Sequence, residues 1–334
     1  MKKFFVFLGV LFFFGCSSKE INIKAKVPAK VDALTKKRTV AVVPFKGDSV
    51  NFTGMLESKL ADVKVNGRAY FNVITRDRID EVLNELKLQS SDLVEKKNAK
   101  FGKLIGAEVI ITGSVTSSAK NGVYRKPVEV CARFHKGRCL YYKTVYLTCK
   151  TSTALLNVTI NAIDVNTAKV LDSFNDSRSL HTDSCKSSYT DAKVLLSRLA
   201  DMISSEYVKR VAPHTVILKV KLIDEVKSVD LSSKEEDMFD NALKYIEHGR
   251  LNQAEYLLSV LNEKTHGSSY EILYDLGVVK EALGKLEAAK AAYTQADRVI
   301  LQKNLEPNKL VDEAVKRIDY LIEERKKLKR QLGD

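Results

Sequence analysis

The spacing of apolar residues along this chain of 334 residues predicts strands and helices in its first part and helices alone in its last part. Short apolar or alternating runs predict strands at 39–45, 70–75, 108–115, 152–164, 169–179 and 215–223. Apolar residues spaced three and four apart predict helices at 51–63, from an N-cap at Asp77, at 92–105, at 188–212 and at 309–330. We therefore expect an α/β domain in which helices flank one mixed sheet, followed by an all-α domain.

The all-α part contains an internal repeat, in which residues 238–262 and 273–297 are related by a period of 35 residues. Five positions of one copy have small or apolar equivalents 35 residues later in the other copy. They are Gly249, Leu251, Ala254, Leu258 and Leu261, which correspond to Gly284, Leu286, Ala289, Tyr293 and Ala296. This pattern resembles the tetratricopeptide repeat, a helix–turn–helix unit that stacks into an array. Two copies are fewer than a stable array needs, so we expect the helix at 309–330 to cap them.

The resemblance implies a concave groove that binds a peptide or a partner helix. In that scheme Tyr274, Val278 and Glu281 lie on the groove face and bind the partner. Two alternatives stay open: Tyr274 belongs to the core, or the array only joins copies of the chain into a homo-oligomer.

The first residues have the organisation of a bacterial leader. Lys2 and Lys3 precede the apolar run Phe4–Phe14, which is shorter than the roughly 20 residues that span a bilayer. Gly15 and Cys16 follow at once. This arrangement resembles the bacterial lipobox, whose cysteine is acylated and becomes the first residue of the mature chain. An ordinary signal peptide or an uncleaved anchor is the alternative.

The lipobox resemblance implies that the chain is held on a lipid bilayer through acylated Cys16. Ser17 and Ser18 stand where an inner-membrane retention signal would have Asp, which favours the periplasmic face of the outer membrane. The polar, lysine-rich stretch that follows predicts a tether. These features divide the chain into a signal peptide at 1–15, a lipidated tether at 16–37, an α/β domain at 38–226 and a helical repeat domain at 234–330.

Four further cysteines, Cys131, Cys139, Cys149 and Cys185, suggest disulfides in an oxidising compartment. A tight turn at 165–168 pairs residues whose numbers sum to about 333 or 334, which brings Cys149 opposite Cys185. Cys131 and Cys139 flank a loop that turns at Gly137. We therefore predict the pairs Cys131–Cys139 and Cys149–Cys185. A metal site at Cys131, His135 and Cys139 is the alternative, although no fourth ligand is evident and the spacing matches no common zinc site.

Four blocks of sequence carry a second resemblance. They are VAVVPF at 40–45, FNVITRDRIDEVLNELKLQSSD at 71–92, FGKLIGAEVIITGSV at 101–115 and LLNVTINAIDVNTAKVLDS at 155–173. In this order they resemble the curli secretion-channel (CsgG) family over residues 38–212. The resemblance implies a periplasmic α/β domain on a lipid-anchored protein.

The resemblance raises the question of a pore, to which channel members of the family contribute two long hairpins and a narrow loop. The candidate hairpin at 176–190 is short and polar, and the one at 120–150 carries many charges, each costing about 2–4 kcal/mol on a lipid-facing surface. Little room for the pore loop remains after residue 45. The sequence therefore favours a lipoprotein that binds partners without forming a channel, with a subunit of a curli-type outer-membrane secretion channel as the alternative.

No enzymatic constellation is evident in the sequence. A phosphate-binding loop, a dinucleotide-binding glycine cluster and a nucleophile elbow are all missing, and we predict no catalytic residues, no metal and no cofactor. The formal net charge of +13 includes the two leader lysines, so the chain after the leader carries +11. Export argues against nucleic acid as the partner. Anionic headgroups, glycan or an acidic protein would account for the charge, and solubility alone is the alternative. We expect a non-enzymatic assembly or scaffold factor that binds protein partners in the cell envelope.

Overall fold

A computed structural model describes residues 19–85, 101–185 and 188–333. The chain separates into two compact units. The sheet unit comprises Pro28–His214 with the last residues from Arg330, and the helical unit comprises the described residues up to Val27 with Thr215–Lys329. The predicted fold class is confirmed, because a mixed sheet with helices precedes a run of helices.

The sheet unit alternates short helices and strands before it reaches three long strands. Its elements are α1 (Asp32–Thr35), β2 (Thr39–Val42), α2 (Phe52–Ala61), β3 (Lys64–Val65), β4 (Arg68–Ala69), β5 (Asn72–Val73), α3 (Arg76–Glu85), α4 (described over residues 101–105), β6 (Val109–His135), β7 (Arg138–Asp164), β8 (Val170–Ser184) and α5 (Ala192–Val211). At the start of α5, the Asp191 side chain accepts a hydrogen bond from the backbone N–H of Lys193, which satisfies an otherwise unpaired donor.

Five strands form the main sheet in the order β5-β2-β6-β7-β8. Strand β2 pairs in parallel with β5 and β6, while β6, β7 and β8 pair antiparallel. The β7–β8 register agrees with the predicted sums, since Ile160 pairs with Phe174 and Ile163 with Val170. The turn that sets this register is held by Asp164, whose side chain accepts hydrogen bonds from the backbone N–H and the hydroxyl of Thr167.

Apolar residues are buried on both faces of this sheet. On one face, residues of β7 such as Leu156 and Ile160 pack with Leu199 and Ile203 of α5. On the other face a smaller cluster is formed by Ala41, Val43, Ile79, Phe101, Ile105, Ala107, Ile110 and Val165. Burial on both faces explains why the β2 segment is a continuous apolar run.

The helical unit begins with a two-stranded sheet and continues as a chain of helices. Its elements are β1 (Glu20–Val27), β9 (His214–Lys221), α6 (Ser233–Glu247), α7 (Leu251–Lys264), α8 (Tyr270–Ala282), α9 (Leu286–Gln302) and α10 (Lys309–Leu332). Helix α6 packs on α7, α7 on α8, and α8 on α9. Gly249 and Gly284, which occupy equivalent places in the two repeats, have positive φ angles of 70° and 76° where α6 and α8 end.

The close approach of α8 and α9 explains why residue 277, in the second repeat, is a glycine. A Cβ atom added to Gly277 of α8 would meet the ring of Tyr293 on α9. Glycine therefore allows these two helices to pack closely at this position.

Several predicted boundaries are corrected by the structure. Residues 20–27 of the predicted tether form β1, which pairs with β9 and buries Ile23 and Val27. The predicted α/β domain included β9, but Val220 of this strand packs in the core of the helical unit instead. Helix α3 begins at Arg76, so Asp77 lies in its first turn and not at the N-cap. The predicted signal peptide at 1–15 and residues 92–100 of the helix predicted at 92–105 lie outside the described residues.

Candidate functional site

The most prominent feature of the sheet unit is a long two-stranded ribbon. We call residues 120–150 the arm, and residues 131–143 its tip. Beyond the pair Lys150–Ser184, strand β7 no longer has β8 beside it, and only β6 accompanies it to the turn. From residue 122 to residue 135 the ribbon extends roughly 45 Å, at about 3.3 Å per residue.

The root of the arm is fixed to helix α5 through one side chain. Asn121 donates a hydrogen bond to Asp191 at 2.7 Å and accepts bonds from the Ser152 hydroxyl and the backbone N–H of Ala192, both at 2.9 Å. Ser152 is fully buried. The arm therefore departs from a rigid base.

A tight turn closes the far end. Lys136 and Gly137 have φ angles of 45° and 78°, and His135 pairs with Arg138 across them. A two-residue turn with two positive φ angles matches the right-handed twist of the flanking strands. A shift in pairing near Arg133 marks a bulge just behind the turn.

Two disulfides lie in this region, and they are the pairs that the register predicts. Cys131–Cys139 joins the strands beside the turn, with 5.7 Å between the Cα atoms, and Cys149–Cys185 joins the end of β8 to β7. An isolated two-stranded hairpin is marginally stable in water, so a covalent link near its free end stabilises the arm. With Cys131 and Cys139 bonded to each other, the alternative metal site does not form, and the described residues contain no other candidate group of metal ligands.

The surface of the arm combines large apolar side chains with positive charge. Phe134, Leu140, Tyr141 and Tyr142 at the tip are 70%, 59%, 64% and 57% exposed. Eight basic residues of the arm are also exposed, against a single acidic residue, Glu129. They are Lys120, Arg125, Lys126, Arg133, Lys136, Arg138, Lys143 and Lys150. The sequence shows the charges of this segment, and the apolar run Leu140-Tyr141-Tyr142 beside a Lys-Gly turn is the signal that indicates the apolar tip.

The other two segments considered as pore-forming from the sequence have ordinary structural roles. Residues 176–184, part of the second candidate hairpin, continue β8 and pair with β7. After β2 the chain turns directly into α2, and Asp48 secures this turn by accepting backbone hydrogen bonds from Phe52 and Thr53 at 2.8 Å.

The predicted partner-binding residues of the repeat domain are buried. Tyr274, Val278 and Glu281 are 0%, 0% and 2% exposed. The Tyr274 hydroxyl donates a 2.8 Å hydrogen bond to the carbonyl of Lys221 on β9, and β1 also packs against α8. The structure therefore contradicts the groove prediction: β1, β9 and α10 cover the face that the repeat resemblance would leave open, and the alternative that Tyr274 belongs to the core is correct.

Glu281 is ion-paired and hydrogen-bonded inside this core. The Arg317 guanidinium donates hydrogen bonds to its two oxygens at 2.9 and 3.0 Å, and the Tyr293 hydroxyl donates a third at 2.6 Å. Burial, followed by the nearby Glu281 charge, raises the pKa of Tyr293 well above its usual value. Although burial lowers the pKa of Arg317, the bonds to Glu281 raise it overall. This arrangement stabilises packing and leaves no free group for chemistry.

A second buried acid lies six residues earlier in α8. Asp275 is fully buried, accepts one backbone hydrogen bond from Ile223 at 3.1 Å, and keeps its Oδ2 atom without a partner among the described residues. Burial raises its pKa well above the ordinary value, and the nearby Asp224 and Glu271 add to the increase.

Cys16, the predicted lipidation site, lies outside the described residues. Within the described part of the chain, no helix is long and apolar enough to cross a bilayer.

An α/β domain with a protruding antiparallel arm, followed by an array of helices, is the class of protein that this fold defines. The chain belongs to the CsgG family, because the family described as curli production assembly/transport component CsgG matches residues 29–197, about half of the chain. No curated protein sequence matches the chain.

Several solved structures resemble parts of the chain at low identity. The C-terminal domain of LpoB from Salmonella enterica is 13% identical over 45% of this chain and 95% of its own, with a TM-score of 0.26. Lipoprotein GNA1162 from Neisseria meningitidis is 19% identical over 52% and 97%, with a TM-score of 0.26. The hypothetical protein CT253 from Chlamydia trachomatis is 12% identical over 52% and 98%, with a TM-score of 0.27. Such scores carry no conclusion about function.

Proposed function

We propose that this protein is a non-enzymatic assembly or scaffold lipoprotein of the cell envelope, held on the periplasmic face of the outer membrane by acylated Cys16. The observation that carries the proposal is the family match over residues 29–197. The lipobox-like leader adds the anchor, and the two compact units supply surfaces for protein partners.

The burial of Tyr274, Val278 and Glu281 moves the proposed partner surface to the outside of the helices. Tyr256 of α7, Leu301 of α9 and Tyr320 of α10 are 69%, 72% and 57% exposed. Aromatic residues are enriched where proteins meet, because they bury a large area at low entropic cost. The helical unit, whose pattern resembles tetratricopeptide repeats, would recruit a protein through this outer surface.

The experiment is a co-purification from detergent extracts of cells that produce the whole chain or a chain ending at residue 233. The proposal predicts that specific envelope proteins are lost with the helices. A partner set that is unchanged by the truncation contradicts the recruiting role. A Cys16→Ser form, analysed by membrane fractionation, tests the anchor separately and is expected to leave the membrane fraction.

The second candidate is a subunit of a curli-type secretion channel. It is suggested by the description of the family as a curli production assembly/transport component. Against it, the part of the second candidate hairpin that the structure describes on β8, residues 176–184, pairs with β7, and the arm carries charge along its length. Ion conductance of the purified, acylated protein in planar bilayers would favour the channel over the scaffold.

A further inference from the structure

We propose that the tip of the arm docks on the headgroup layer of an anionic lipid bilayer, as a second membrane contact beside the acyl anchor. The starting point is the placement of large apolar side chains at the far end of the arm. Leu140, Tyr141 and Tyr142 are consecutive in a strand, so they point alternately to the two faces of the ribbon. Both faces of the tip therefore expose apolar area.

Because apolar side chains are exposed on both faces of the tip, a lipid bilayer fits the tip better than a protein surface does. A protein surface that pairs with one face of a ribbon leaves the other face in water. A bilayer surrounds an entering tip from all sides, so it covers both faces at once. Phe134 and Tyr142, which lie on opposite strands near the turn, would then be removed from water together.

The chemistry of the tip fits a headgroup layer. Tyrosine is typical of the membrane–water interface, where its ring lies among headgroups and its hydroxyl stays hydrated. Arg133, Lys136, Arg138 and Lys143 provide four exposed positive charges around these rings, and long basic side chains reach lipid phosphates while their stems contact apolar groups.

The position of the charges also limits how deeply the tip can enter the bilayer. Lys136 and Arg138 flank the outermost residue of the turn, so the tip cannot pass through the hydrocarbon region without burying them. Docking therefore stops at the phosphates. The disulfide Cys131–Cys139 and the anchoring of Asn121 to Asp191 keep the arm stiff enough to present the tip as one surface.

The test is vesicle flotation with purified protein that begins at residue 16 and carries Cys16→Ser, so that neither the apolar leader nor an acyl chain contributes to the measurement. Neutral phosphatidylcholine vesicles are compared with vesicles that contain about 30% phosphatidylglycerol, whose charge attracts basic segments. We expect at least about tenfold stronger partitioning onto the anionic vesicles, weakened by added salt because screening shortens the reach of the charges.

Two variants locate the contact, and each has a matched control. The triple change Phe134→Ser, Leu140→Ser and Tyr142→Ser removes apolar area from the tip, and its control is the change of the exposed Val194, Met202 and Ile217 to Ser. The charge variant replaces Arg133, Lys136, Arg138 and Lys143 with Gln, and its control replaces the exposed Lys234, Lys244, Lys316 and Lys329 with Gln. Thermal melting confirms that each protein is folded.

Each tip variant is expected to lose at least about tenfold in vesicle binding, because several favourable contacts disappear together, and the controls to lose little. Equal binding to neutral and anionic vesicles would overturn the inference, and so would full binding by either tip variant. Tip-dependent self-association in gel filtration without vesicle binding would likewise replace the lipid partner by a second copy of the chain. These outcomes are independent of whether the helical unit recruits a protein.

Discussion

The ion pair between Glu281 and Arg317 gives the sharpest test of whether the predicted partner surface is buried in the core of the helical unit. Replacing Arg317 with Met keeps most of the side-chain volume but removes the guanidinium that donates to both oxygens of Glu281. The Glu281 side chain has no exposed area, whereas 19% of Arg317 is exposed. The substitution therefore leaves a carboxylate in the core with only the Tyr293 hydroxyl as a donor.

Loss of one partner of a buried pair costs about 3–5 kcal/mol, because the remaining charge is desolvated and uncompensated. We expect the free energy of unfolding of the helical unit to fall by about this amount. The double variant Glu281→Leu with Arg317→Met is expected to recover much of the loss, since an apolar pair of similar volume is often neutral. Urea unfolding followed by helical circular dichroism measures both.

A matched control shares helix α10 with the buried pair. Lys290 of α9 and Asp319 of α10 form a 2.7 Å ion pair whose side chains are about half exposed. Lys290→Met is expected to change stability by less than about 1 kcal/mol, as exposed pairs do. If Arg317→Met costs no more than this control, Glu281 is solvated, and the residues Tyr274, Val278 and Glu281 return as a partner surface.

Three further outcomes follow from the packing and the titrating groups. Gly277→Ala is expected to destabilise the chain by about 1–3 kcal/mol through overpacking against Tyr293, and an unchanged melting temperature would mean that α8 and α9 do not touch there. Cys149→Ser opens a loop with a sequence separation of 36 and should cost about 3–4 kcal/mol in the sheet unit, more than Cys131→Ser, whose separation is 8; equal losses in urea unfolding would refute the entropic reasoning. Because the pKa of Asp275 is higher in the folded than in the unfolded chain, stability is greatest below the unfolded value and falls as pH rises through the folded one. Asp275→Asn should therefore gain stability at neutral pH relative to the wild type and lose that advantage in acid, and a pH-independent difference between their urea midpoints would contradict the assignment.

Local patterns predict the sheet unit well. The apolar run of β2 and the helical spacing of α5 need only period and burial, and the turn at Asp164 fixes the register that brings Cys149 opposite Cys185. These signals are local, or follow from a single tight turn. For that reason the fold class and the disulfide pairs could be predicted without any knowledge of tertiary contacts.

The missed features depend on neighbours that the sequence does not reveal. Ile21, Ile23, Ala25 and Val27 alternate with polar residues in β1, but lysines in this segment favoured a tether, and the strand becomes evident only when β9 lies beside it. The repeat pattern correctly marks the helices but leaves one face of α8 open. Whether Tyr274 is core or surface depends on β1, β9 and α10, which are distant in sequence.

The proposal that the outer surface of the helical unit recruits an envelope protein is tested most directly by photo-crosslinking in intact cells. A photoreactive residue replaces either Tyr256 or Tyr320, both of which are exposed and whose replacement leaves the core intact. The account predicts discrete adducts with one or a few envelope proteins, and the loss of the same proteins from the co-purification when the chain ends at residue 233. Absence of adducts at both positions, with the protein folded and in the membrane fraction, would contradict it.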